Sequence, residues 1–448
     1  MASCRKWTLH HLVVFLLTFL SYSCFHATRK AFSNVKDTMQ KEWTRNPVIH
    51  DPPKLWESRN FFKDEHHAEL FLGAMDTTFL LAYAVGLYIS GILGDRFNLT
   101  RVLAFGMCSS AIMVFMFGTV SKWIGVYNIW YYGVFMALNG LFQSTGWPCV
   151  VAVMGNWFGK SSRGIVFGIW SANASVGNIF GALEVAAILD YGYEYAMLVP
   201  AVVLFAFGIL TFFCLVPSPD MLVFHDASMV EQESFPRKSP DGRSTSSTVS
   251  ATHQVVKPQH RTAITFCRAV LLPGVIPYSL SYACLKLVNY SFFFWLPFYL
   301  SNKFGWKDTV SDRISTFYDV GGIVDVGGNY TINAALMGVT GFFIGGPANL
   351  ISAAISADLG RQSAVSASSE ALATVTGIVD GTGSVGAAIG QFLVPEINTH
   401  RGWKPVFYFL MIMAFMSFIC LLIPHLVRFI RRFVTRCGVW EMKKLIYK

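Results

Sequence analysis

The chain has 448 residues; 53% are hydrophobic, only 14% are charged, and the formal net charge is +9. Soluble domains carry about 25% charged residues, so water is not the solvent for most of this surface. These figures exclude a disordered chain, a coiled coil, a disulfide-rich secreted module and a nucleic-acid-binding protein, and leave an all-α polytopic membrane protein. A β-barrel is excluded because alternating strands do not give long continuous apolar runs. Nine cysteines lie in or beside the apolar runs, without C-x-x-C or Cys/His metal spacing, so no disulfide, metal or cofactor is expected.

A hydrocarbon core about 30 Å thick needs roughly 20 apolar residues per helix. In chain order, spans are predicted at 10–28, 70–92, 102–121, 128–155, 164–188, 195–216, 275–300, 332–356, 368–395 and 405–427. The first ends on Arg29-Lys30 with no small-residue cleavage site, so it is not a signal peptide. Residues 218–265 are rich in Ser, Pro, His and charge and read as a flexible cytosolic linker. They separate a first half, 1–217, from a second half with a basic tail, 266–448. The stretch 314–328 is too short and too rich in Gly and Asp to cross. Lys plus Arg number 20 on the side of the termini and 12 on the other, which places both termini in the cytosol. On that topology the sequon Asn329-Tyr330-Thr331 is lumenal or extracellular and open to glycosylation.

The chain repeats itself at an offset of 209. GIWSANASVGNIFG at 168–181 matches GIVDGTGSVGAAIG at 377–390, with Gly168/Gly377, Ser175/Ser384, Gly177/Gly386 and Gly181/Gly390 among the identities. A Gly/Pro-interrupted span precedes each copy: TGWPCV at 145–150 and GGPANL at 345–350. Gly-rich packing occurs in any membrane bundle, but the shared order points to duplication and to a transporter with its site between two repeats. The loop GILGDRFNLTR at 91–101 carries the G-x-L-x-D-R…R signature of the major facilitator superfamily. Its Asp95, Arg96 and Arg101 can pair across the halves and latch one access state.

HATRKAFSNVK at 26–36, NGLFQSTGWPCVV at 139–151, GNWFGKSSRG at 155–164 and EALATVTGIVDGTGSVGAA at 370–388 resemble solute carrier family 37, over nearly the whole chain. The resemblance implies the twelve-helix major facilitator fold of two six-helix repeats. It implies exchange of a sugar phosphate, a small phosphorylated anion, for inorganic phosphate. It also implies an endomembrane, the endoplasmic reticulum first and the lysosome as the alternative, in contact with lipid and open to an accessory membrane subunit.

Two departures stand out. After the seventh span, YDVGGIVDVGGNYTINAALMGVTGFF runs almost directly into the tenth helix. The second half therefore lacks about one and a half helices around 325–331, roughly 30–35 residues at 1.5 Å each. Secondly, bacterial relatives carry a His four residues after the Trp of the fifth helix, where this chain has Trp170 and Ala174. Their seventh-helix base lies six residues before a Trp; here Trp295 puts Asn289 there, with Lys286 one turn earlier.

Charges inside spans are costly and usually functional. Arg29 and Lys286, one from each half, are the expected phosphate clamp, since a fork and a point charge together offset a phosphate dianion. Arg29 at a span end can also snorkel to the interface, and Lys30 is placed there. Asp380 is expected against Lys286 in the empty state, with Asp76 serving the first half likewise; a purely structural pair is the preferred reading of both. Asn139, Gln143 and Thr145 are candidate donors to sugar or phosphate oxygens. Trp147 and Trp170 are candidate cavity walls, or interfacial anchors. A membrane enzyme would need a nucleophile or paired His/Asp at one face, and no such constellation or ATP-binding loop occurs. Besides exchange, a transport-deficient regulatory or escort protein and a carrier of another phosphate-like anion remain open.

Overall fold

A computed structural model describes residues 8–44, 61–158, 163–221, 262–304, 343–361, 369–422 and 426. Asn329, the stretch 314–328 and the shortened region around 325–331 lie outside the described residues.

The described residues are mostly helical. In the first half the helices are α1 (Leu9–Thr44), α2 (Glu65–Arg96), α3 (Leu99–Ile124), α4 (Ile129–Gln143), α5 (Gly146–Trp157), α6 (Arg163–Trp170), α7 (Asn173–Ile188) and α8 (Tyr193–Cys214). In the second half they are α9 (Phe266–Val270), α10 (Val275–Phe304), α11 (343–359), α12 (Leu372–Arg401) and α13 (Trp403–Leu422). Thr262–Ala263 and Ser369–Glu370 form a two-residue parallel ladder. Eight helices among the described residues are long and apolar enough to cross a membrane. The expected fourth span is broken at Ser144–Thr145 into α4 and α5, and part of the eighth, 332–356, lies outside the described residues.

Local chemistry sets the helix ends. Asp64 caps α2 by accepting from the His67 N–H at 2.9 Å, and Asn98 caps α3 through Thr100 and Arg101. Gly125, at φ 66°, supplies the left-handed residue that stops α3. Helix α1 corrects the sequence reading. It does not end near residue 28 but runs on for 36 residues, about 54 Å at 1.5 Å each, because neither Gly nor Pro interrupts it. Arg29 and Lys30 are therefore buried, at 3% and 2% exposure, rather than snorkelling. Lys36 is buried too.

Helix α12 lies between α2 and α10 and joins the halves. Glycine makes this approach possible: a Cβ at Gly91 of α2 would stand 2.8 Å from the Ala373 carbonyl oxygen. The perimeter is apolar. Phe205 and Phe213 on α8 and Met411 and Phe415 on α13 are exposed, as a lipid-facing surface requires.

Candidate substrate site

The repeat fixes the geometry of the centre. A Cβ at Gly177 of α7 would strike the Ser23 carbonyl of α1; at the repeat mate Gly386 of α12 it would strike the Ala283 carbonyl of α10. Likewise Gly181 meets Ala27 and Gly390 meets Leu287. Ser23 and Ala283, like Ala27 and Leu287, are 260 residues apart, so α1 and α10 are equivalents at that offset. On this register Arg29 corresponds to Asn289 and His26 to Lys286. The base of the second half has therefore moved one turn along its helix relative to Arg29.

A cavity of about 480 Å³ lies between the halves, bordered by Tyr22, His26, Trp147, Lys286, Asn289 and Asp380 among others. That size falls within the range of small-molecule sites, roughly 300–1,000 Å³. Lys286 is 2% exposed; its Nζ donates to Asp380 Oδ1 at 2.7 Å and to Ser384 Oγ at 2.8 Å. The rings of Tyr83, Tyr282 and Tyr290 stand 5.1–5.4 Å from it. A lysine in such a dry aromatic setting needs an anion. Asp380 is that anion, in the place expected for it.

Arg29 does not border the cavity. Its Nε donates to Gln143 Oε1 at 2.5 Å, its Nη1 to Tyr290 Oη at 3.1 Å, and its guanidinium lies over the Tyr83 ring at 4.4 Å. Tyr290 borders the cavity and closes Arg29 off from it. Arg29 forms no ion pair among the described residues, and its Nη2 has no hydrogen-bond partner. Tyr83 joins the two bases: its hydroxyl donates to Asp380 Oδ2 at 3.4 Å while its ring carries Arg29.

The remaining sequence candidates separate. Gln143 also donates to Thr28 and to Asn139 Oδ1, and Asn139 accepts from Ser110 at 2.7 Å. These two amides support Arg29 from behind and do not reach the cavity. Thr145 turns inward to the Phe142 carbonyl. Trp147 borders the cavity and bridges the halves through Nε1 to the Ser352 carbonyl at 3.2 Å. Trp170 stacks behind it at 5.4 Å and donates to Thr18, so it braces the wall without forming it.

Asp76 lies outside the cavity, in a pair with Lys36 that covers the turn beyond Arg29. The Trp295 ring lies 4.5 Å from the Lys36 ammonium, with Phe294 at 5.0 Å. Arg29 Nη2 and Asp76 Oδ1 are both without hydrogen-bond partners, and both residues border a void of about 20 Å³. Around the Lys36 pair, α1 grips α10. Ser33 Oγ and Lys30 Nζ donate to the Phe293 carbonyl at 2.9 and 3.3 Å, and Lys36 Nζ donates to the Phe294 carbonyl at 3.3 Å. The Phe293 carbonyl is available because residue 297 is proline and has no N–H to return to it.

Asp95 works at the opposite end of α2, by a means other than the one expected. Its carboxylate accepts from the N–H groups of Ala373 and Thr374 at 3.0 and 2.9 Å and from the Thr374 hydroxyl at 2.6 Å. It thus caps α12 from the other half and meets the positive end of that helix dipole. Arg96 and Arg101 are exposed and form no ion pair among the described residues. A carboxylate against a helix terminus replaces the expected charge pair.

Comparison with known proteins agrees with this architecture. Residues 18–369 match the model of the Major Facilitator Superfamily. The chain is 52% identical to sugar phosphate exchanger 3 of Mus musculus over 95% of each chain, and 36% identical to glucose-6-phosphate exchanger SLC37A2 of Xenopus laevis over 92% of each. A crystal structure of a D-xylose-proton symporter shares the fold with a TM-score of 0.57 at 12% identity, covering 91% of this chain and 97% of that one. The chain belongs to the major facilitator superfamily, in solute carrier family 37. It is thus a multi-pass membrane transporter by fold, and its relatives are named as exchangers rather than enzymes. The alignment with the mouse exchanger is 469 positions long, more than the 448 residues here. It therefore includes positions that this chain lacks.

Two features of this solute carrier escaped the sequence reading. Lys36 was hidden because a 36-residue helix carries it past the apolar stretch. His26 and Asn178 were hidden because neither charge nor spacing marks them. The repeat glycines that set α7 against α1 and α12 against α10 bring His26 into register with Lys286; nothing in the repeat marks Lys36 or Asn178.

Proposed function

We propose that this transporter exchanges sugar phosphates for inorganic phosphate by alternating access, in an endomembrane such as that of the endoplasmic reticulum. The observation that carries the reading is the buried Lys286–Asp380 pair on the wall of a cavity between the halves. The names of the relatives supply the substrate class. An incoming phosphate takes the Lys286 ammonium from Asp380, exchanging one anion for another at a desolvated base. Tyr290 then turns aside and opens Arg29, whose planar fork receives the phosphate oxygens. Arg29, Lys286 and Asp380 together leave one positive charge uncompensated when the site is empty. Reorienting that charge without an anion is costly, whereas a bound phosphate monoanion cancels it, so the carrier crosses only when loaded, and transport is exchange.

The basic-residue bias supports cytosolic termini, with 218–265 as a cytosolic linker between halves 1–217 and 266–448 and the Lys36 end lumenal. Asn329 is then a lumenal glycosylation site. In this reading the contacts at Lys30, Ser33 and Lys36 form the lumenal gate, and the Asp95 cap holds the cytosolic seam. The test is counterflow in liposomes. Phosphate-loaded vesicles carrying the protein should take up labelled glucose 6-phosphate only while phosphate is inside. Uptake into phosphate-free vesicles at the same rate would show uniport and refute exchange.

A further inference from the structure

We propose that His26 and Asn178 form the subsite for the sugar part of the substrate, across the cavity from Lys286. The proposal rests on the exchange reading above and adds which side chains read the organic group. Packing of the four repeat glycines equates His26 of α1 with Lys286 of α10, and both border the cavity. The two halves thus present different chemistry at one level. Lys286 faces Asp380 and Ser384. At the 209-residue offset their mates are Ser171 and Ser175, both on the cavity wall. The second half offers a charge for phosphate; the first offers hydroxyls, an amide and an imidazole.

The state of the imidazole follows from its partner. His26 Nδ1 lies 3.0 Å from Asn178 Oδ1. An amide oxygen only accepts, so Nδ1 carries the hydrogen, and in the neutral ring Nε2 is left as an acceptor. No carboxylate is hydrogen-bonded to His26 among the described residues. An acceptor without charge suits a sugar hydroxyl, which can donate, and does not suit the ionised phosphate monoester group of the same substrate, which has no O–H; inorganic phosphate is held instead at Lys286. Tyr22 holds the ring on one side at 5.1 Å and Phe293 on its edge at 6.4 Å, so the acceptor is fixed in direction. A rigid acceptor discriminates strongly, because an analogue without the hydroxyl leaves it unpaired.

The experiment compares His26→Leu with His26→Gln in the full chain, using glucose 6-phosphate and inorganic phosphate as the two probes. The reading is the ratio of their apparent affinities, from competition in phosphate counterflow and from ligand-induced thermal stabilisation of the purified protein. His26→Leu should shift the ratio against glucose 6-phosphate by about tenfold, and His26→Gln, which keeps an acceptor near Nε2, should recover most of it. An unchanged ratio in His26→Leu, or equal loss for both probes, overturns the subsite and leaves the exchange reading standing. A wild-type protein that exchanges nothing yet is stabilised by both probes refutes exchange, and the stabilisation ratio still decides the subsite. A wild-type protein stabilised by neither probe overturns both.

Discussion

Two buried lysine–aspartate pairs sit in this molecule, and they have opposite surroundings. Lys286–Asp380 borders a cavity of about 480 Å³. Lys36–Asp76 is closed in by Phe32, Phe294 and Trp295, beside a void of only about 20 Å³. The ion pairs are chemically the same, so burial of charge is not what separates a binding site from a structural contact. Access separates them. On the proposed reading, the pair on the cavity is exchanged for a ligand, and the enclosed pair holds α1, α2 and α10 together.

The comparison is open to attack by substitution, beginning with the largest effect. Lys286→Met should weaken phosphate binding by about 30-fold or more, since losing one charge-assisted partner costs roughly 2–5 kcal/mol. Lys36→Met should instead act on stability, by about 3–5 kcal/mol, because Asp76 is left buried and unpaired. Isothermal titration with phosphate and thermal unfolding in detergent read the two effects apart. If Lys36→Met abolished binding in a protein that remained folded, the enclosed pair would belong to the site.

Paired replacements sharpen the contrast. Lys36→Met with Asp76→Leu should recover most of the lost stability, because a dry pair can be exchanged for apolar contacts at little cost. Lys286→Met with Asp380→Leu should recover stability and still not bind phosphate. Smaller effects are expected at the two ends. Asp95→Ala removes a cap from α12 and should cost about 0.5–2 kcal/mol, with increased labelling of a cysteine placed along the α2–α12 seam. Pro297→Ala returns an N–H to the Phe293 carbonyl, in competition with Lys30 and Ser33. It should weaken that contact by about 1 kcal/mol and raise cysteine labelling at the Lys36 end.

Much of this fold can be read from the chain before its coordinates, for physical reasons. Apolar runs of membrane length announce spans, and the GxLxDR loop and the 209-residue repeat announce the architecture. Asp380 beside Lys286 follows from the cost of an unpaired mid-span charge. Other parts are not legible in that way. The end of α1 is not legible, because the apolar run stops near residue 28 whereas the helix, with no breaker, runs on to Thr44. Arg29 behind Tyr290 depends on rotamers from another helix. Asp95 was assigned a charged partner, but backbone N–H groups at the start of α12 have no sequence signature. Trp170 lost its place on the wall to Trp147 because the two rings stack, and only the front one meets the cavity.

Exchange across a membrane by the pair on the cavity is the claim on which the rest depends. Liposomes loaded with phosphate should be given labelled glucose 6-phosphate, with wild-type protein beside the stability-matched variants Lys286→Met/Asp380→Leu and Lys36→Met/Asp76→Leu. The account predicts counterflow by the wild type and by the Lys36 variant, and none by the Lys286 variant. Counterflow by the Lys286 variant at the wild-type rate would contradict it.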